Sequence, residues 1–439
     1  MNVAVLGAGY AGLKVARRLE QELPAHISLT LINDSPTHLV QHELHRTIRE
    51  PSVVDTIQVS LREVLDSVEL IEATVTDVDP GTGVVKLDGD DAPEEFRYDF
   101  GAICLGAETA FFGMESVQEQ AVPLKRLSHA GQIRDDVLAL TESGGDVVVG
   151  GAGLSGIQVA GEIAALADER GATDQVSVRL LEMADEVAPG FAPEFQQAIR
   201  AELEGAGITV QTGTAVTGAT DDSVQTDAGT LPCDRLVWTG GIQGATTMDG
   251  DRRTVRADLR LSDSTFVVGD AAKVVDADGE PVPASAASAI REAKTAATNI
   301  ARLATADSGL EPRLDRYRAD IPGWVVSVGN GAVAKLGPQV VSGGPAKAMK
   351  ATIGAGHLAG VSALRQAAQL AEAERAETRR DETRRDETRR NTPALSPQSI
   401  IGGATAPRHR YHSVEMISLA NSSIAVSATP TESVRLRNP

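Results

Sequence analysis

One short pattern occurs twice in this chain, and each copy allows few local folds. In the first copy Val3-Ala4-Val5-Leu6 reads as a buried strand, Gly7, Gly9 and Gly12 follow at G-x-G-x-x-G spacing, and residues 13–23 run at helical period. In the second, Asp146-Val147-Val148-Val149-Gly150 leads into Gly151, Gly153 and Gly156, with a helix through 157–167. Each glycine answers a different need. Gly7 and Gly151 permit a tight turn, Gly9 and Gly153 let backbone approach a pyrophosphate, and Gly12 and Gly156 lay the helix against the strand. The helix start then turns free N–H groups and a positive dipole end toward the phosphates. Two such units predict two dinucleotide sites on one α/β chain.

The residues around each unit extend the reading. Residues 27–32 alternate as the second strand of the first unit, and Asn33 with Asp34 stands where an acid would bind a ribose hydroxyl pair. In the second unit Val176 to Leu181 is that strand, and Glu182 ends it, 31 positions after Gly151. A glutamate there suits an unphosphorylated ribose and repels a 2′-phosphate. Between them, residues 73–98 read as short strands with turn punctuation, a β-meander inserted in the first unit. Tyr98 to Ala107 and Asp234 to Gly241 are buried strands ending in turns at Gly106 and Gly240. Thr265-Phe266-Val267-Val268 ends in Gly269-Asp270, where the aspartate can reach a ribityl hydroxyl. His38, His42 and His45 stand at i, i+4 and i+7, a spacing that predicts three imidazoles on one helical face. The run His42-Glu43-Leu44-His45 lacks the H-E-x-x-H metal spacing, so a polar wall beside a cofactor is expected and no metal.

Composition limits the partners. Net charge is −20, from 61 acidic and 41 basic residues, and only 8 of the basic ones are lysine. Nucleic acid is excluded as a partner on that charge, and the surface is similar to those of proteins from salt-loving organisms. Cys104 and Cys233 are the only cysteines, 129 positions apart. That fits a reducing compartment and leaves no adjacent redox disulfide. The chain opens directly in a strand and has no run of about 18 apolar residues, so a cytoplasmic location is expected. From Arg375 to Pro439 the sequence changes character: Ala376-Glu377-Thr378-Arg379-Arg380 recurs with a period of five that fits neither helix nor strand. This tail is expected to be disordered.

These residues resemble the two-dinucleotide flavoprotein family of glutathione-reductase-like enzymes, and within it the type II NADH dehydrogenases, over roughly residues 1–370. The resemblance rests on Gly7/Gly9/Gly12, on Tyr98 to Gly106, on Gly151/Gly153/Gly156 with Glu182, and on Gly269-Asp270. It implies two Rossmann-like domains: an FAD domain of 1–110 and 245–310, interrupted by an NADH domain of 111–244. A C-terminal interface or membrane-facing segment, 311–372, and the tail, 373–439, would complete the chain. FAD would be held by Gly7, Gly9, Gly12, Asn33, Asp34, Val75, Gly106, Gly269 and Asp270, and NADH by Gly151, Gly153, Gly156, Glu182 and Gly240. The activity implied is NADH oxidation through flavin to a quinone-like acceptor, with peripheral membrane contact and a homodimer. The alternatives are a reductase of ferredoxin or another small carrier, and a non-catalytic redox sensor.

Two departures from the family pattern matter. A glutamate usual after the second glycine motif is Gln158 here, and A-Q-x-x-x-Q-E is matched by Ala286 to Glu292 with Ala287 and Arg291 in place of both glutamines. Gln158 and Glu292 are the candidate catalytic residues, as polar lining on the two sides of the flavin. Arg291 is expected to pair with an acid such as Glu292 or to face water. Residues 344–370 carry Met349, Ile353, Leu358, Val361 and Leu364 with Lys347, Lys350 and Arg365 among them, a pattern suited to an anionic membrane surface or to packing.

The charge gives a first prediction. Arg375 to Pro439 hold 11 basic and 7 acidic residues, a net of +4, so the remainder carries −24. Screening relieves repulsion among those carboxylates, and the melting temperature rises as potassium chloride is increased toward molar concentration. A melting temperature that stays flat across that range removes the salt-adapted reading.

Overall fold

Four apolar residues in succession need a place dry on both faces, and a parallel sheet covered by helices supplies it. The computed structural model describes residues 1–306, 312–361 and 363–372, all within one compact unit. β1 (Asn2–Leu6) is buried from Val3 onward. α1 (Tyr10–Glu22) follows it, then β2 (Ser28–Asn33), β3 (Glu69–Glu72) and β4 (Phe100–Ile103). The chain then builds a second sheet from β5 (Ala121–Pro123), β6 (Gly145–Gly150), β7 (Val176–Leu181), β8 (Thr209–Gln211) and β9 (Arg235–Trp238). Its helices are α2 (Leu127–Ser143), α3 (Leu154–Glu169) and α4 (Pro193–Gly205). β10 (Thr265–Val267) and α5 (Ala286–Ala304) return to the first sheet.

Both sheets are parallel throughout, in the orders β10-β4-β1-β2-β3 and β5-β9-β6-β7-β8; four strands correspond, β4-β1-β2-β3 to β9-β6-β7-β8, while the edge strand comes last in the first sheet and first in the second. Each carries a three-stranded antiparallel meander, Thr74–Asp79 to Glu95–Arg97 between β3 and β4 in one and Val216–Ala219 to Gly229–Pro232 between β8 and β9 in the other. The first meander agrees with the sequence reading; the second is an addition to it. Where the chain passes between the sheets, Ala107–Thr109 pairs antiparallel with Ile242–Gly244, and the Trp238 indole N–H donates to the Ala110 carbonyl at 2.8 Å.

A third layer follows. β11 (Gly323–Val328), β12 (Gly331–Leu336) and β13 (Gln339–Ser342) form an antiparallel sheet, and α6 (Gly344–Gly360) packs with it. Val326, Val328 and Val333 join the core of the second sheet, while Leu358, Val361 and Leu370 join that of the first. The layer therefore ties the two units together. Its approach to α3 is backbone on backbone: a Cβ on Gly161 would lie 2.3 Å from the Gly329 nitrogen.

Two expectations are corrected here. The three histidines do not share a helical face. His38 sits in a strand, Thr37–Leu39, paired with Gln58–Ser60, and a 3-10 helix starts only at Gln41 and runs to Ile48. The pairing holds His38 extended, so the helical spacing is broken at Val40. Nor does the basic residue Lys350 lie on an outward face of 344–370: it is 6 % exposed, because Glu43 and His45 draw its ammonium inward. Ile353 and Leu364 do face out. Among the described residues no helix is long and apolar enough to cross a membrane, and the tail 373–439 lies outside them.

Candidate functional site

The two glycine turns have the same geometry. Gly7 and Gly151 adopt φ of +92° and +95°, where a Cβ is strained. A Cβ on Gly12 would stand 1.7 Å from the Gly7 carbonyl oxygen, and one on Gly156 1.9 Å from that of Gly151. Gly9 and Gly153 differ from these: nothing lies within 4 Å of a Cβ built on either. They open onto space at the first turn of α1 and α3. Neither helix has a side-chain cap or an acidic residue in that turn, so the N–H groups and positive dipole end are left for an anion. The residues present fit a dinucleotide pyrophosphate at both places.

The residue ending each second strand closes the turn in the same way. The Ala8 N–H donates to Asn33 Oδ1 at 2.7 Å, and the Ala152 N–H to Glu182 Oε2 at 2.7 Å. Glu182 Oε1 also accepts from the Ala184 N–H at 2.9 Å, and the side chain is buried. Asp34 is exposed, 3.7 Å from the Arg126 guanidinium. Val75 is buried in the first meander, paired with Leu87. Gly106 and Gly240 lie in the turns that follow β4 and β9; a Cβ on Gly240 would strike the Trp238 ring at 2.4 Å.

The Gly269-Asp270 turn closes the first cradle from the other side. Gly269 has φ +73°, and a Cβ there would be 3.1 Å from that of Ala11 on α1. Its N–H donates to Glu292 Oε2 at 2.8 Å. Burial raises the Glu292 carboxyl to about 7, with Asp270 adding to the rise against the pull of the Gly269 N–H and Arg252. Asp270 is half-buried, and its carboxylate accepts no hydrogen bond among the described residues, so it is available to a ligand hydroxyl. Arg291 neither pairs with Glu292 nor is fully solvated: it is half-buried and donates to the Ala287 carbonyl of its own helix at 3.1 Å.

The polar groups brought in from afar were not legible as partners. Gln158, half-buried on α3, has its amide 3.4 Å from both His45 Nε2 and Ser327 Oγ. Lys350 lies among them, 2.9 Å from His45 Nε2 and 2.7 Å from Ser327 Oγ. His38 bonds the Ala8 carbonyl at 2.8 Å through Nδ1 and His357 at 3.1 Å through Nε2, although His357 is 319 positions away. Tyr10 packs against His38, His42 and His357. Burial holds the His38 and His357 imidazoles neutral, at about 4 and about 3. No group of three or more His, Cys, Asp and Glu residues among those described is arranged to hold a metal.

With this geometry in place, the comparisons are specific. A family model described as pyridine nucleotide-disulphide oxidoreductase matches residues 1–293. The chain belongs to that family. It is 26% identical over 331 residues to the type II NADH:quinone oxidoreductase of Staphylococcus saprophyticus, covering 68% of this chain and 81% of that one. Its fold is similar to that of Plasmodium falciparum NDH2 solved with NADH, with a TM-score of 0.74 at 15% identity, covering 86% of this chain and 98% of the other. It is also similar to the sulfide:quinone oxidoreductase of Aquifex aeolicus, with a TM-score of 0.69 at 18% identity over 83% and 92% of the two chains.

The buried imidazoles give a pH prediction. Below pH 6.5 an unfolded histidine takes a proton that folded His38 refuses until about 4 and His357 until about 3. Their contribution is complete above pH 6.5 and is lost as pH falls, by on the order of 3 kcal/mol per imidazole at pH 4. Glu292, with its raised carboxyl, works in the opposite sense between its ordinary value and about 7, so a difference is the proper reading. Comparing wild type with His357→Gln by thermal melts from pH 7 to 4.5 yields a shallower loss in the variant. Parallel curves would show that His357 does not titrate in this way.

Proposed function

We propose that the protein is an FAD-dependent NADH dehydrogenase that delivers electrons to a quinone. The observation that carries this is the pair of matching open cradles, each with an uncapped helix start and a glycine free of neighbours. Curated relatives named type II NADH:quinone oxidoreductase, aligned over most of their length, favour quinone as the acceptor. The first cradle takes FAD: Gly7, Gly9 and Gly12 at the pyrophosphate, Gly106 and Asp270 along the ribityl chain, and Asn33, Asp34 and Val75 toward the adenosine, with Gly269 turning the chain to Asp270. The second takes NADH at Gly151, Gly153 and Gly156, with Glu182 on the ribose and Gly240 at the mouth. We assign the FAD domain to 1–110 and 245–310, the NADH domain to 111–244 and the interface segment to 311–372.

Bound flavin supplies the two-electron chemistry. The protein positions both dinucleotides and sets the charge around them. Glu292 fixes the Gly269-Asp270 turn, and Gln158 offers an amide where relatives place a glutamate. The exposed Ile353 and Leu364, beside Arg365, favour a peripheral seat on the inner face of the cell membrane, or a face shared with a second copy.

The test is steady-state NADH oxidation with a short-chain quinone and with a ferredoxin. Quinone turnover is expected; turnover with ferredoxin alone transfers the protein to the carrier-reductase reading, and turnover with neither supports a sensor. Gly9→Val fills the pyrophosphate's place and removes bound FAD, read as lost yellow absorbance in a folded protein.

Glu182→Gln keeps an acceptor for the Ala152 N–H but removes the charge that repels a 2′-phosphate. It narrows the preference for NADH over NADPH by about tenfold. Equal use of the two nucleotides by wild type would make Glu182 a turn-closing residue only.

A further inference from the structure

Reduction of a quinone by NADH consumes one proton from solvent for each turnover, since NADH brings two electrons and one proton and the quinol needs two of each. A second line of polar groups, unused by the binding sites, begins at the first residue of α1. Tyr10 follows Gly9 directly and its ring packs against His38, His42 and His357; burial raises its hydroxyl, with Glu43 and Asp270 adding to the rise. Its hydroxyl accepts from the His42 backbone N–H at 3.1 Å and meets His42 Nδ1 in a short hydrogen bond. His42 Nε2 is buried without an aligned partner, yet lies 3.3 Å from Glu43 Oε1. Glu43 Oε2 is 3.3 Å from Arg46 and 3.9 Å from Lys350 Nζ. Lys350 and Ser327 in turn line a small cleft with Arg46, Lys347, Glu162 and Gly329.

We propose that Tyr10, His42 and Glu43 carry the proton used in quinone reduction, from the cleft at Lys350 and Ser327 to the flavin side of α1. The proposal rests on the quinone reductase reading above. The Tyr10–His42 contact admits both imidazole tautomers. With the proton on Nδ1, His42 donates to the Tyr10 oxygen and the hydroxyl hydrogen is turned away from it. Tyr10 then gives that proton to a quinone oxygen, breaking its own O–H bond as the new one forms. The Nδ1 proton of His42 restores the hydroxyl. Nε2 takes a replacement handed on by Glu43, and Glu43 is refilled from water in the cleft. The electrons come from NADH, and the number of protons on the protein is unchanged; His42 is left protonated at Nε2 and returns to the Nδ1 form before the next turnover by losing the Nε2 proton to water and taking one at Nδ1.

The charges around the line suit the role. Burial pushes Glu43 up, but Lys350, His42 and Arg46 outweigh it and hold the carboxylate ionised at rest. Burial lowers His42, Lys350 lowers it further, and Glu43 opposes both. Its neighbours are Tyr10 from α1, Glu43 from its own segment, and His357 and Lys350 from α6. Imidazole is the side chain whose ordinary proton affinity lies nearest neutrality, so it alternates between donor and acceptor at little cost. α6 approaches the pair with Gly354, where a Cβ would lie 2.7 Å from Leu370 Cδ2 and at ordinary contact distance, 3.8 Å and 3.5 Å, from His42 Nε2 and Glu43 Oε1.

The experiment uses the full chain loaded with FAD, and every rate is taken per bound flavin. Tyr10→Phe keeps the ring and removes the hydroxyl; His42→Ala opens a space that free imidazole can enter. Quinone turnover is expected to fall about tenfold or more in both, with a larger solvent deuterium isotope effect, and added imidazole restores His42→Ala but not Tyr10→Phe. A second reading needs neither NADH nor quinone: bound flavin is photoreduced in weak buffer, and proton uptake is followed with an indicator dye. Uptake slows in both variants if the line conducts. Unchanged turnover and unchanged uptake in Tyr10→Phe overturn the proposal. So does lost turnover in His42→Ala that imidazole does not restore while uptake stays at the wild-type rate. A wild type that reduces no quinone, with slowed uptake in the variants, sinks the functional reading and leaves the proton line standing.

Discussion

Each nucleotide cradle depends on a helix start laid directly on the carbonyl that ends the preceding strand. At the Gly12–Gly7 and Gly156–Gly151 crossings no side chain can intervene, as the near-superposition of a built Cβ on each carbonyl oxygen makes plain. That contact fixes the angle at which α1 and α3 leave their sheets. It also determines which N–H groups remain unpaired, because the turn is too tight for a capping side chain to enter. Asn33 and Glu182 then secure the turns through one shared hydrogen bond to the backbone of the residue after the first glycine. One acceptor is neutral and the other charged. The two cradles have the same shape and differ in the field they offer an adenosine ribose.

Beside the apolar residues that join it to both cores, the third layer meets a set of compensated buried charges. Arg46, Arg49 and Lys350 are nearly fully buried, and they meet Glu43, Glu50 and Glu162, with Asn330 completing the shell of Arg49. Removing ions from water is expensive, and such pairs add little net stability compared with apolar packing of equal volume. What they supply is uniqueness: each charge has one arrangement of partners in which it is satisfied, and those partners come from the 3-10 segment, α3, the β11–β12 turn and α6 together. The His357–His38–Ala8 line extends the same dependence to the FAD turn, so the position of α6 is felt at the phosphate end of the cofactor.

How much of this was legible follows from the range of each interaction. The strands, glycine turns and acid-bearing strand ends are local, set by residues within about one βαβ unit, and the sequence pattern carries them. Glu182 and Asp270 were readable for the same reason. The histidines were not. Their spacing suggested a helix, but ladder pairing of His38 with Val59 overrode it, and the partners that give His38 and His45 their roles lie 319 and 282 positions away. Lys350 looked like a surface cation because periodicity reports an amphipathic face without saying what waits opposite. Only the fold puts Glu43 there. The second meander escaped because 216–232 is polar, with little alternation to mark its short strands.

The fate of the cysteines bears on the electron path. The family takes its name partly from a disulphide, and this chain has no pair to form one: Cys104 and Cys233 are both free and buried. Cys104 stands beneath the Gly7 turn, its carbonyl 2.6 Å from where a Cβ on Gly7 would be, close enough to the cofactor for the question to matter. Burial drives its thiol well above the ordinary range and Glu292 pushes in the same direction, so no thiolate forms near neutral pH. Burial likewise lifts Cys233 to about 11. Thiolate is the reactive form, and neither sulfur can supply it. Neither cysteine therefore passes electrons onward from the flavin. A proton delivered beside the flavin would then travel on oxygen and nitrogen acids, and Tyr10, at the start of α1, is joined to His42 and through it to Glu43.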